Sequence, residues 1–274
     1  GKCSGLPQQP MAAGLEGRDG ASAAAMDVKS LSARQVVLYG EIDTANRYAS
    51  TVTVKPHDTS GERDEAECSG VLISPRLVLT AGHCVCKPAG AQECASHALV
   101  TTFTHDPSEE VQGEAGLMTR VYRGQVRPSP DSADLAVILL ERLPAEPLPA
   151  VRLAETEAQE GESVVIVGYG HDELIGGRYG TRRFTRLQVA RAPEPVTGRV
   201  AFQHPGMRLY PADDGGPCLR EDASGVALVG ILGTSGVEGS TFTSTHVYRE
   251  WLRAELLNAA EQSPDAGRVL GEHE

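Results

Sequence analysis

The sequence predicts an all-β fold closed by one C-terminal helix, and two observations predict it. Short aliphatic and β-branched runs recur between turn residues: Gly70-Val71-Leu72-Ile73, Leu77 to Thr80, Leu135 to Leu140, Ser163 to Val167 and Val226 to Leu232. Helical periodicity is convincing only from Val247 to Ala260, where Val247, Trp251 and Leu252 or Leu256 share a face. In chain order, residues 1–35 are rich in Gly, Ala, Ser and Gln and form an N-terminal linker or pro-segment. Val36-Val37-Leu38 is expected as a first strand, with a second reading, given below, equally open. Ser74-Pro75-Arg76 turns the chain between the next two strands. Pro144, Pro147 and Pro149 mark a connection between two halves, with the boundary near 145–160. Ser263-Pro264-Asp265-Ala266-Gly267 stops the helix, and residues 259–274 form a tail.

Composition narrows the function. With 37 acidic against 25 basic side chains, the 274-residue chain carries a net charge of −12. That balance disfavours nucleic acid and anionic membrane surfaces as partners. No apolar run reaches membrane-spanning length, so no membrane span is expected. Six cysteines, an even number, suit an oxidising compartment, secreted or periplasmic.

Three motifs carry chemistry. Thr80-Ala81-Gly82-His83-Cys84 follows Cys68-Ser69-Gly70-Val71-Leu72-Ile73; Asp134-Leu135-Ala136-Val137-Ile138-Leu139-Leu140 comes next; Pro211-Ala212-Asp213-Asp214-Gly215-Gly216-Pro217 is the third. Gly168-Tyr169-Gly170 lies between the second and third, and Trp251 sits in the terminal helix. In this order the motifs resemble those of the trypsin-like (chymotrypsin-fold) serine peptidases over roughly residues 36–258. The resemblance implies two antiparallel six-stranded β-barrels followed by a C-terminal helix. It implies His83 as general base, Asp134 as its orienter and position 214 as nucleophile. The oxyanion donors would be the backbone N–H groups of Ala212 and Asp214, and Asp213 would be the partner of a freed amino terminus. Val36 to Glu41 weakly resembles the start of a mature enzyme of this family, with Tyr39 in place of the first of its paired glycines. The substrate pocket would be lined by Arg208, Gly233 and Ser235.

The loop departs from the family at its centre. Asp214 stands where the family has serine, and Ala212 where it usually has glycine. A carboxylate with an ordinary pKa of about 3.9 has no proton for His83 to remove at neutral pH. Between Asp134 and Asp214, His83 is expected as imidazolium, a poor general base. Arg182-Arg183 is expected as a solvated pair in an exposed loop.

The resemblance also pairs Cys68 with Cys84. Cys86 and Cys94 are close enough in sequence to close a small loop, which leaves Cys3 and Cys218 as a third pair. A rival reading takes His83, Cys84, Cys86, Cys94 and His97 as a metal cluster, which needs reduced thiolates. Disulfides are preferred, with no metal and no cofactor. Two functions compete. One is a catalytically inactive pseudopeptidase that binds a protein or peptide ligand. The other is a serine endopeptidase whose nucleophile is substituted in this chain.

Overall fold

The computed structural model describes residues 40–57, 68–87, 93–111, 114–130, 133–169, 181–203, 214–236 and 239–262. The first half is a closed barrel. Its strands are β2 (Thr51–His57), β3 (Cys68–Ser74), β4 (Leu77–Thr80), β7 (His97–Val111), β8 (Glu114–Pro128) and β9 (Ala136–Leu140). They close in the order β2-β3-β4-β9-β8-β7, every neighbouring pair antiparallel, including the β2–β7 pair that completes the ring. A 3₁₀ turn, Gly82–Cys84, follows β4, and the short pair β5 (Cys86–Lys87) and β6 (Glu93–Cys94) stands beside it.

The β7–β8 hairpin differs from the short strands expected of this sequence. Each arm has 15 residues. Pro107 and the surrounding polar residues argue against a strand by composition. The ladder absorbs them through a register shift between Asp106 and Val111.

The second half is an eight-stranded sheet. It contains β1 (Glu41–Ile42), β10 (Arg152–Leu153), β11 (Ser163–Gly168), β12 (Arg183–Gln188), β13 (Arg199–Ala201), β14 (Pro217–Asp222), β15 (Gly225–Gly236) and β16 (Gly239–Ser244). The order is β1-β12-β11-β14-β15-β16-β13, with β10 added in parallel to β15. Among the described residues the second half is a sheet and not a barrel closed by a continuous ladder. Its β12 and β13 ends approach each other, but one isolated bridge, Val189 to Phe202, joins them instead of a ladder. Two backbone bonds flank that bridge, Ala190 N–H to Ala201 O and Gln203 N–H to Gln188 O, both 2.8 Å.

The apolar runs are continuous because this sheet is buried on both faces. In β11, Val165 and Val167 pack into the core shared with the barrel, while Val164 and Ile166 pack into a separate core. In β15, Leu228 and Ile231 join the first core and Ala227 and Val229 the second. A strand buried on both sides has no polar face to alternate with. The helix α1 (Arg249–Glu261) starts two residues later than the periodicity suggests and buries Leu252, Glu255 and Ala259. Trp251 and Leu256 are half-buried against the first core. Glu255 is buried because Arg127 of β8 donates to it from Nε (2.9 Å) and Nη2 (3.3 Å).

Arg182 is not a solvated loop residue. Its side chain is 3% exposed and pairs with Asp43, at 1% exposed, across 2.8 Å. Its Nη1 donates to Phe103 O in β7 (2.7 Å) and Tyr169 Oη (3.3 Å), and Nη2 donates to Asn46 Oδ1 (3.0 Å). Arg183 opens β12 opposite Ile42 and is half-buried. Gly40 fits this junction because its φ is +68° and a Cβ there would lie 1.9 Å from Phe184 O. The segment entering the fold is thus held to both halves at once.

Candidate active site

His83 is carried by the 3₁₀ turn, which Cys84 N–H to Ala81 O and Val85 N–H to Gly82 O close at 3.1 Å each. The Cys68–Cys84 disulfide ties this turn to β3. Asp134 precedes β9 in a loop that Ser129 braces, its Oγ donating to Ala133 O (2.8 Å) and its N–H to Leu135 O (3.0 Å). Asp134 accepts from the backbone N–H of His83 (2.8 Å) and from its Nδ1, 2.9 Å from Oδ2 and 3.1 Å from Oδ1. The imidazole is thereby fixed in direction.

Asp214 approaches from the other half of the molecule. Ser69 N–H donates to Asp214 O, and Gly215 N–H donates to Leu232 O, each at 2.8 Å. Gly215 has φ +87°, and a Cβ there would meet Ser69 O at 2.2 Å and Thr80 Oγ1 at 2.4 Å. Only glycine lets the loop lie this close to the barrel. The outcome is a distance of 3.0 Å between Asp214 Oδ2 and His83 Nε2.

Both ring nitrogens of His83 face carboxyl oxygens, so an imidazolium can donate to both. Burial alone would lower the pKa of His83. The bonds to Asp134 and Asp214, with their charges, outweigh it and raise the pKa to about 9. Burial pushes the Asp214 carboxyl above its ordinary value; the bond and charge of His83 oppose that and the Asp134 charge adds to it. The raised pKa favours His83 as imidazolium at neutral pH. Such a group holds two halves together and cannot take a proton from a nucleophile.

The other expected site residues divide by position. Gly233, in β15, lies against Asp134: a Cβ there would be 3.6 Å from Asp134 Oδ2. Ser235 is in the same strand opposite Ser240. Arg208, Ala212 and Asp213 lie outside the described residues, as does Cys3. Cys218 is a buried free thiol among the described residues, its pKa pushed well up by burial. Cys86 and Cys94 form the second disulfide. This corrects the rival metal reading. Ligand atoms of Cys68, His83 and Cys84 do lie within 4.8 Å of one another, but both sulfurs belong to one disulfide. Thiolates for zinc are not available among them. No helix among the described residues is long and apolar enough to cross a membrane.

The profile of the trypsin-like peptidase domain matches residues 68–231, a span that holds His83, Asp134 and Asp214. The chain belongs to the trypsin-like peptidase family. It is similar to a cercarial protease of Schistosoma mansoni, 28% identical over 172 residues, 56% of this chain and 65% of that protein. The aligned part is thus just under two thirds of that relative's length. It is also similar to the serine protease SP24D of Anopheles gambiae, 28% identical over 220 residues, 73% of this chain and 76% of that protein. Sequence reasoning missed Asp43, Asn46 and Arg182 in this trypsin-like frame. Their pairing joins residues more than a hundred positions apart, and no local pattern signals it.

Proposed function

We propose that this trypsin-like chain does not cleave peptide bonds and acts by binding a protein or peptide, in a secreted or periplasmic setting. One observation carries the reading: Asp214, at the nucleophile position, is bonded to His83 at 3.0 Å. Acyl transfer needs a neutral base and a protonated nucleophile, and this pair offers a charged acid and a deprotonated carboxylate. In this reading His83 and Asp134 keep the base and orienter positions, and Ala212 and Asp214 the oxyanion positions. Asp213 keeps the activation pocket, and Arg208, Gly233 and Ser235 edge the ligand cleft. The domain is 36–258, between a pro-segment at 1–35 and a tail at 259–274. The two disulfides support the oxidising compartment.

A second reading, a serine endopeptidase with a substituted nucleophile, is favoured by the well-formed His83–Asp134 pair, 2.9 Å at its shortest. One experiment separates the two. This chain and Asp214→Ser are treated with a fluorophosphonate probe and a mixed peptide library, with and without residues 1–35. This chain stays silent in every form under the first reading, and so does Asp214→Ser. Labelling and cleavage in Asp214→Ser mean an intact machine disabled at one position. Cleavage by the unaltered chain refutes the proposal.

A further inference from the structure

Beyond the barrel, β7 and β8 run on as a two-stranded ribbon. β2 pairs with β7 only between His97 and Thr101, and β9 pairs with β8 only between Gly124 and Pro128. The β7–β8 ladder continues to Asp106 opposite Gly116 and Val111 opposite Glu114. The two outer edges of this ribbon differ. That of β7 is closed by the entry junction: Asn46 Oδ1 accepts His105 N–H and Asn46 Nδ2 donates to His105 O, both at 2.8 Å, and Phe103 O accepts from Arg182. On the outer side of β8 the ladder ends with Glu141 N–H to Arg123 O, 2.9 Å. The register is unbroken from Gln125 to Gly116, so alternate residues keep this direction, and Val121, Thr119 and Leu117 present N–H and C=O outward. Among the described residues no strand stands opposite Thr119 or Leu117 on that side. Thr119 and Val121 are exposed.

An unpaired edge is a template for another strand, and charge selects which strand. Residues 105–116 hold Asp106, Glu109, Glu110 and Glu114 and no Lys or Arg. Residues 117–128 hold Arg120, Arg123 and Arg127 and no Asp or Glu. The ribbon is therefore acidic at its far end and basic at its root. A parallel copy would set acid beside acid. An antiparallel copy sets the acidic end of each ribbon beside the basic root of the other, and a two-fold axis generates that arrangement. We propose that two copies of this chain pair antiparallel through the outer edge of β8, centred on Leu117. In that register Leu117 pairs with Leu117 of the partner subunit, and Ala115 with Thr119 of the partner subunit, through their outward N–H and C=O groups. Glu114 of each copy then stands opposite Arg120 of the partner subunit, at a pair without backbone bonds, where side chains across two strands are closest and opposite charges favour the register. Arg120 also meets Glu146 at 3.3 Å, but that glutamate is 73% exposed and the pair is screened by solvent, so it does not hold Arg120 away from a second carboxylate.

The test follows the oligomeric state of the full chain by analytical ultracentrifugation from about 1 μM to about 1 mM. A concentration-dependent dimer is expected. Leu117→Pro removes one outward N–H and no bond to β7, so its unfolding midpoint should hold while dimerisation weakens about tenfold or more. Glu114→Arg and Arg120→Glu each turn both cross-strand pairs into like charges, and each alone is expected to be monomeric over the same range. Mixed in equal amounts, the two variants restore an opposite pair at both positions and should dimerise within about threefold of the unaltered chain. A chain that stays monomeric throughout overturns the proposal and leaves the edge to a strand of another protein. A dimer indifferent to both charge variants, or a mixture that stays monomeric, overturns it as well. None of these readouts involves His83 or Asp214, so the proposal and the non-hydrolytic reading fail separately.

Discussion

Two of the ionic clusters among the described residues that join the halves have opposite characters. At the entry of the chain, Asp43 and Arg182 are almost fully enclosed, 1% and 3% exposed. Arg182 spreads its donors over Asp43, Phe103 O, Tyr169 and Asn46, and Asp43 also accepts the backbone N–H groups of Arg47 and Tyr48 at 2.9 Å. At the active-site position, His83, Asp134 and Asp214 keep 24%, 24% and 13% of their side-chain surface. One cation there faces two anions. The first cluster is saturated and dry, so its charges are fixed. The second is partly exposed and holds an excess negative charge, so its protonation can change. The difference shows that burial and satisfaction of donors, not the presence of charge, separate a structural ion pair from a chemical one.

The largest effect is expected where the charges are driest. Arg182→Met leaves Asp43 buried without its partner and should lower stability by about 3–5 kcal/mol in urea unfolding. Adding Asp43→Leu should recover most of that loss. Equal stability of Arg182→Met and the unaltered chain would mean that the first cluster is no more structural than the second.

At the second cluster the sensitive variable is pH. The pKa of His83 is raised to about 9, above the unfolded value of about 6.5. Its contribution is therefore fully present below pH ~6.5 and is lost as pH rises to about 9, on the order of 3 kcal/mol in all. Unfolding midpoints across that window should fall, and less steeply in Asp214→Asn. An NMR titration of the imidazole that places it near its ordinary value would remove the basis for this effect.

Backbone fit comes next. Gly215→Ala forces a side chain into φ +87° and against Ser69 O, and should cost about 2 kcal/mol while releasing Asp214 from His83. Loss of stability with an unchanged His83 titration would show that the loop docks independently of the ion cluster. The smallest effect is expected at the helix surface. Arg253 and Glu250 are 63% and 84% exposed at 3.4 Å, and Glu250→Ala should leave stability unchanged within about 0.5 kcal/mol.

The sequence by itself determined the β class, the terminal helix and the order of His83, Asp134 and position 214, because those features are local. A buried strand needs a run of apolar side chains, and a catalytic loop keeps its neighbours beside it in the chain. It also gave the Cys68–Cys84 pair through its motif and the Cys86–Cys94 pair through its short separation. Tertiary structure decided the rest. The long β7–β8 hairpin is made by cross-strand pairing that overrides an unpromising composition around Pro107. Among the described residues one bridge joins β12 and β13 in the second half, since closure depends on how two distant segments meet. Arg182 looked like a surface charge until Asp43, 139 residues earlier, was placed beside it. Proximity of that kind is set by the packed core, and the energy of a charge depends on its surroundings more than on its neighbours in sequence.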